Sequence, residues 1–220
     1  MNLKSFSPHN WARLVMILAD RVRGLDFLTV IQAREVGLNP NSASPSSPSG
    51  NKYLRNVLKD FNITSKDSII DIGCGKGSAM RTMLEFPFAH IGGIEVSERI
   101  TKIAVRNFNR LNANRVKVFN CDASVFPNYD DYNLVYLYNP FPSHVMQPVV
   151  DALMHSIQRS ERELVIIYNN AVCHETIVAH GVFSRKGIYP DKWGNWISIY
   201  TNRSDQESRL SANTKMEPTA

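Results

Sequence analysis

The feature that most constrains this chain is an alternation that runs from residue 68 to residue 169. Short apolar runs, SIIDIG (68–73), HIGGIEV (90–96), VKVFNCD (116–122), YNLVYLYNP (132–140) and ELVIIYN (163–169), are separated by helix-like stretches at 77–86, 97–112 and 144–159. A run of this length that is apolar at nearly every position suits a strand buried on both faces. Strands of that kind alternating with helices imply a parallel sheet covered on both sides and joined by right-handed crossovers.

The flanking segments extend the pattern. NKYLRNVLKDF (51–61) places Tyr53, Leu54, Val57, Leu58 and Phe61 on one helical face,. Downstream, VFSRKGIY (182–189) and NWISIYTN (195–202) read as two strands joined by a turn rich in Pro, Asp, Lys and Gly,. The expected fold is α/β: three α/β/α layers around a seven-stranded, mostly parallel sheet that ends in an antiparallel hairpin, with an N-terminal helical extension. Residues 51–202 form the domain. Residues 1–50 hold an amphipathic helix at 9–23, with Trp11, Leu14, Val15, Leu18 and Val22 in a stripe that could pack on the domain or cover its ligand,. They also hold the segment GLNPNSASPSSPSG (37–50), which is either a flexible surface loop or a lid,. The tail from 203 to 220 is polar and aperiodic and is expected to be disordered,.

Composition narrows the functional classes. The 220 residues are 43% hydrophobic and 20% charged, which is enough apolar content for a real core,. A net charge of +5 without any run of five Lys or Arg weighs against a dedicated nucleic-acid surface,. Cys74, Cys121 and Cys173 form no C-x-x-C pair and share no metal-like spacing with histidines, so no metal site is expected,. LVMILA (14–19) is too short for a signal core, and no run approaches the roughly 18 apolar residues of a membrane span,. These observations point to a soluble, cytoplasmic protein whose oligomeric state is not legible.

In a doubly wound sheet, ligands bind at the carboxyl ends of the strands. The first such end reads Asp71-Ile72-Gly73-Cys74-Gly75-Lys76-Gly77. Its glycines permit a tight turn and a close ligand approach, but their spacing is G-x-G-x-G rather than the dinucleotide G-x-G-x-x-G. Asp71 would oppose a pyrophosphate and suits a cationic ligand, which disfavours a nicotinamide-linked dehydrogenase. Glu95 ends the second strand about 20 positions after Gly75, where an acid commonly takes the hydroxyls of a ribose,. Asp122 ends the third strand and can accept a hydrogen bond from an exocyclic amine. Each acid alone could be a cap or an ion-pair partner. Together with the glycines they describe a nucleoside site.

On this D-x-G-x-G-x-G motif and the strand-end acids, residues 50–202 resemble class I S-adenosylmethionine-dependent methyltransferases. The resemblance implies S-adenosyl-L-methionine as cofactor. It implies that Asp71, Gly73, Gly75 and Gly77 hold the methionine end, that Glu95 with Val96 takes the ribose, and that Asp122 with Ala123 recognises adenine. Asn139-Pro140-Phe141, at the fourth strand's exit, resembles the N-P-P-[YF] motif of enzymes that methylate amide or amino nitrogens, with Phe141 in place of the second proline. This makes Asn139, Pro140 and Phe141 candidate catalytic residues, and Asn139 a cofactor contact as well. Alternatively, NPFP is only a rigid strand exit. His174 in the loop after the fifth strand, and His144 after the motif, are candidate general bases. The chain reads as a methyltransferase acting on a nitrogen or oxygen of a small molecule or protein side chain. The alternative is a non-catalytic adenosyl-ligand-binding domain on the same fold.

Overall fold

The computed structural model describes residues 8–37, 39, 44–191 and 194–204. Most of the expected tail and part of the 37–50 segment lie outside the described residues. β1 (Ser68–Ile72), β2 (His90–Glu95), β3 (Val116–Asn120), β4 (Leu134–Tyr138) and β5 (Val165–Asn169) run parallel. β6 (Ser184–Pro190) and β7 (Trp196–Thr201) close the sheet in the order β3-β2-β1-β4-β5-β7-β6, with β7 antiparallel to both neighbours. Chain order reverses between β1 and β4, and this opens a crevice at their carboxyl ends,. The expected architecture is the observed one.

Two apolar clusters sandwich the sheet. On one face Ile69, Tyr136 and Ile167 pack with Leu54, Val57 and Leu58 of α2 (Lys52–Asp60), with Ala79, Met80 and Met83 of α3 (Ser78–Met83), and with Phe108 of α4 (Glu98–Arg110). On the other face Ile70, Val135 and Ile166 pack with Met146, Val149, Val150 and Leu153 of α5 (Ser143–Arg159) and with Ile177 of α6 (His174–Val178). Residue parity along each strand decides the face, as the two-residue period requires. Local chemistry fixes the helix starts: the Asn51 side chain accepts from the amides of Tyr53 and Leu54, and Ser97 accepts from that of Ile100,.

The N-terminal helix α1 (Pro8–Val22) forms as its periodicity predicts but does not bury its apolar stripe. Trp11, Leu14, Val15, Leu18 and Val22 are 46–89% exposed. The helix is held from its opposite side, where buried Asp20 accepts from Arg81 Nη1 at 2.8 Å. Leu25 and Phe27, just downstream, insert into the core, and Phe27 meets Phe108 edge-on.

Candidate functional site

A cavity of about 260 Å³ lies in the crevice between β1 and β4. Gly73 and Gly75, Glu95 and Val96, Asp122 and Ala123, and Pro140 and Phe141 all line it. These eight of the expected cofactor and acceptor residues share one space near the strand ends, whereas Asp71, Gly77, Asn139 and His174 are not among its lining residues.

The turn after β1 explains the glycines. Gly75 has φ +54°, and a Cβ there would sit 2.5 Å from Ser46 Oγ, so any side chain would be strained and would fill the cavity roof,. A Cβ on Gly73 would meet Pro140 Cβ at 2.7 Å. Gly77 does not line the cavity, and its α-carbon faces the Phe108 ring. It serves the packing of α3 on α4 rather than the ligand space.

The acids have separate environments. Glu95 is buried; its carboxylate accepts from the amides of Gly75 (3.1 Å) and Ser97 (2.9 Å), which ties the end of β2 to the glycine turn. Burial raises its pKa, and these backbone donors pull against that rise. Asp122 caps a short 3₁₀ turn, accepting from the amide and hydroxyl of Ser124 at 2.8 and 2.7 Å. Asp71 is 2% exposed, and its Oδ2 has no hydrogen-bond partner. Burial, reinforced by Glu95, pushes its pKa up to about 8. In the same buried region the Tyr136 hydroxyl and the Asn169 side chain also lack partners. A buried polar atom without a partner costs free energy and marks a place where a ligand could supply one.

Asn139 follows β4 with a left-handed backbone, φ +39°. Its carbonyl accepts from Ser44 Oγ at 2.8 Å, and Ser44 N donates to the Pro140 carbonyl at 3.0 Å. Asn139 is half-buried and is not among the lining residues, whereas its neighbours Tyr138, Pro140 and Phe141 are.

His174 is placed elsewhere. It opens α6, a helix the sequence reading did not separate from the loop after β5, and its Nδ1 lies 2.9 Å from the Tyr200 hydroxyl. Its ring borders a second concavity with Trp196, Arg185 and Asn170, not the crevice cavity. The expectation of a base beside the methyl acceptor therefore finds no geometry at His174, because helix formation turns the ring toward β7. Among the described residues no cluster of His, Cys, Asp and Glu suited to a metal is found.

The N-terminal segment supplies lining residues that the sequence reading did not single out. Ile31, Ala33, Val36, Ser44, Ser46 and Ser49 all face the cavity. Ser44, Ser46 and Ser49 had only a Ser/Pro-rich stretch as sequence signal, which fits a flexible loop equally well, and Ile31, Ala33 and Val36 lie before that stretch.

Comparison with known proteins agrees with this fold. Residues 69–163 match the methyltransferase domain family. A search of the curated proteins finds no match. Among solved structures, the chain is similar to a SAM-dependent methyltransferase from Aquifex aeolicus, with a TM-score of 0.55 and 13% identity over 71% of this chain and 93% of that one. It is also similar to an RNA methyltransferase from Salinibacter ruber in complex with S-adenosyl-L-homocysteine, with a TM-score of 0.52 and 16% identity over 70% and 92%. A third is the magnesium protoporphyrin IX methyltransferase of Synechocystis PCC 6803 with bound SAM, with a TM-score of 0.50 and 16% identity over 70% and 77%. The chain has the Rossmann-like fold of the class I S-adenosylmethionine-dependent methyltransferases.

Proposed function

We propose that this protein binds S-adenosyl-L-methionine in the crevice cavity and transfers its methyl group to a nitrogen or oxygen of a small molecule or protein side chain. The observation that carries the reading is Asp71, a buried carboxyl with an unpartnered oxygen that precedes the glycine turn and feels the Glu95 charge, although it does not itself line the cavity. A cationic ligand supplies what that oxygen lacks, and an anionic one would aggravate its environment. The residues present fit the cofactor in charge and in the glycine cradle.

When bound, S-adenosylmethionine supplies an electrophilic methyl group on a sulfonium. The protein's part is mostly orientation and exclusion of water. Asp71 takes the ammonium of the amino-acid end. Glu95, fixed by the Gly75 and Ser97 amides, is pre-oriented for the ribose hydroxyls. Val96 and Ala123 offer apolar surface to the adenine, with Asp122 at its edge. Pro140 and Phe141 form the rim where the acceptor approaches, and Asn139 is assigned to hold it there. His174 has no part in the proposal. Residues 44–49, together with 31–36, act as a cover.

The test is calorimetric titration with S-adenosylhomocysteine, followed by transfer of a radiolabelled methyl group to separated small-molecule, protein and nucleic-acid fractions of a cell extract. Binding with label entering the small-molecule or protein fraction supports the reading. Absence of binding refutes it. Binding with no transfer selects the non-catalytic alternative, and label in the nucleic-acid fraction overturns the acceptor class.

A further inference from the structure

One charged side chain in the glycine turn has no place in the scheme above. Lys76 stands between Gly75 and Gly77 yet is 3% exposed. It reaches away from the cavity toward the N-terminal segment, where its Nζ donates to Asp26 Oδ1 at 2.6 Å and to the Thr29 hydroxyl. Thr29 in turn donates to Asp26 at 2.6 Å. The same junction is fastened by Asn107 of α4, which is fully buried. Asn107 accepts from the Asp26 amide at 2.9 Å and donates to the carbonyls of Asp26 (3.0 Å) and Lys76 (3.2 Å). Turn, helix and N-terminal segment are therefore joined at one point.

Downstream of that point the segment becomes the cavity wall. Ile31 and Ser46 exchange backbone hydrogen bonds of 3.2 and 2.9 Å, which brings these two parts of the segment side by side. The segment sets Ser46 against Gly75 and reaches the far rim, where Ser44 bonds Asn139 and Pro140. The wall is thus tied at two ends. The rim end is held by neutral hydrogen bonds, whereas the Asp26 end is held by an ion pair between buried Lys76 and partly exposed Asp26, so removing Asp26 leaves a buried charge without its partner,.

We propose that Lys76 is a positioning residue that, through Asp26 and Asn107, latches residues 25–37 and 44–50 over the cofactor and so sets the cofactor's residence time. This rests on the cofactor reading above but adds to it. A ligand under the wall leaves when the segment lifts and enters by the same opening, so loosening the latch raises the off-rate and does not slow entry. Titratable groups facing Lys76 are Asp26, which holds it, and Arg106, whose charge works against it.

The experiment uses the full chain and S-adenosylhomocysteine, with koff and kon read by stopped-flow and deuterium uptake read by mass spectrometry. The variants are Asp26→Asn, Lys76→Met and the double variant carrying both. The double variant leaves no buried charge unpaired and so keeps the test valid if a single variant fails to fold. Expected results are a koff raised at least tenfold, a kon that does not fall, faster exchange across residues 25–37 and 44–50, and unchanged exchange in β1 and β4. An unchanged koff in folded variants, or a segment that exchanges no faster, overturns the latch. A wild-type chain that binds no S-adenosylhomocysteine refutes the cofactor reading and the latch with it. Binding with unaltered kinetics in the variants refutes the latch alone.

Discussion

Replacing Asp71 by asparagine separates stability from binding in opposite directions. The Asp71 carboxyl has its pKa pushed up from 3.8 to about 8, first by burial and then by Glu95. Because the native state keeps this proton over a pH range in which the unfolded chain has lost it, stability from this group is full below pH 3.8. It declines as pH rises and levels off above about 8,. At about 1.4 kcal/mol per pKa unit, the ionised group costs the native state on the order of 6 kcal/mol at most, of which about 3 kcal/mol accrues between pH 6 and pH 9. A neutral amide in its place would carry no such cost. The stability advantage of Asp71→Asn should therefore grow by about 3 kcal/mol from pH 6 to pH 9, or roughly 6–12 °C in Tm. Binding should move the other way. The ligand's ammonium beside Asp71 favours its ionised form, so at pH 7 the wild type should release up to about one proton on binding S-adenosylhomocysteine. Titrations in two buffers of different ionisation enthalpy measure that proton, and Asp71→Asn should abolish it and weaken affinity more than tenfold. A variant that binds as tightly as wild type, or a stability gap that shrinks with rising pH, would refute the reasoning.

Three further outcomes follow from the geometry. Gly75→Ala should weaken S-adenosylhomocysteine binding at least tenfold by calorimetry, because the left-handed backbone and the approach to Ser46 leave no room for a methyl group,. Glu95→Gln should also weaken binding by tenfold or more, because a neutral amide oxygen is a weaker acceptor for the Gly75 and Ser97 amides and for the ribose; binding at wild-type strength would remove Glu95 from the site,. Asn139→Ala should leave S-adenosylhomocysteine affinity within threefold while lowering labelled-methyl transfer at least tenfold. Unchanged transfer would reduce Asn139-Pro140-Phe141 to a strand exit.

What was legible along the chain was what local rules encode. The alternation from 68 to 169 reports strands and helices of ordinary length, and parity within each strand assigns Ile69 and Ile70 to opposite faces,. The positions of Asp71, Glu95 and Asp122 were legible for the same reason, since parallel strands of similar length deliver their ends to one edge. What the pattern over-read was α1. Its stripe has the period of a packed helix, yet Asp20 holds the helix by the other side. His174 was over-read as well, because a loop position says nothing of where a ring turns once the first residue of a helix is fixed there.

The sequence by itself determined the α/β sheet, the antiparallel hairpin and the strand-end acids, because strand, turn and helix each follow from neighbours a few residues apart. Only the tertiary structure decided that the Ser/Pro-rich segment walls the cavity, that Gly77 faces Phe108 rather than ligand, and that Lys76 is committed to Asp26. These depend on side chains meeting across 50 residues in the case of Lys76 and Asp26, and 95 in the case of Ser44 and Asn139. No local period carries information over that distance. It is the packing of the whole domain that brings such groups within hydrogen-bonding reach.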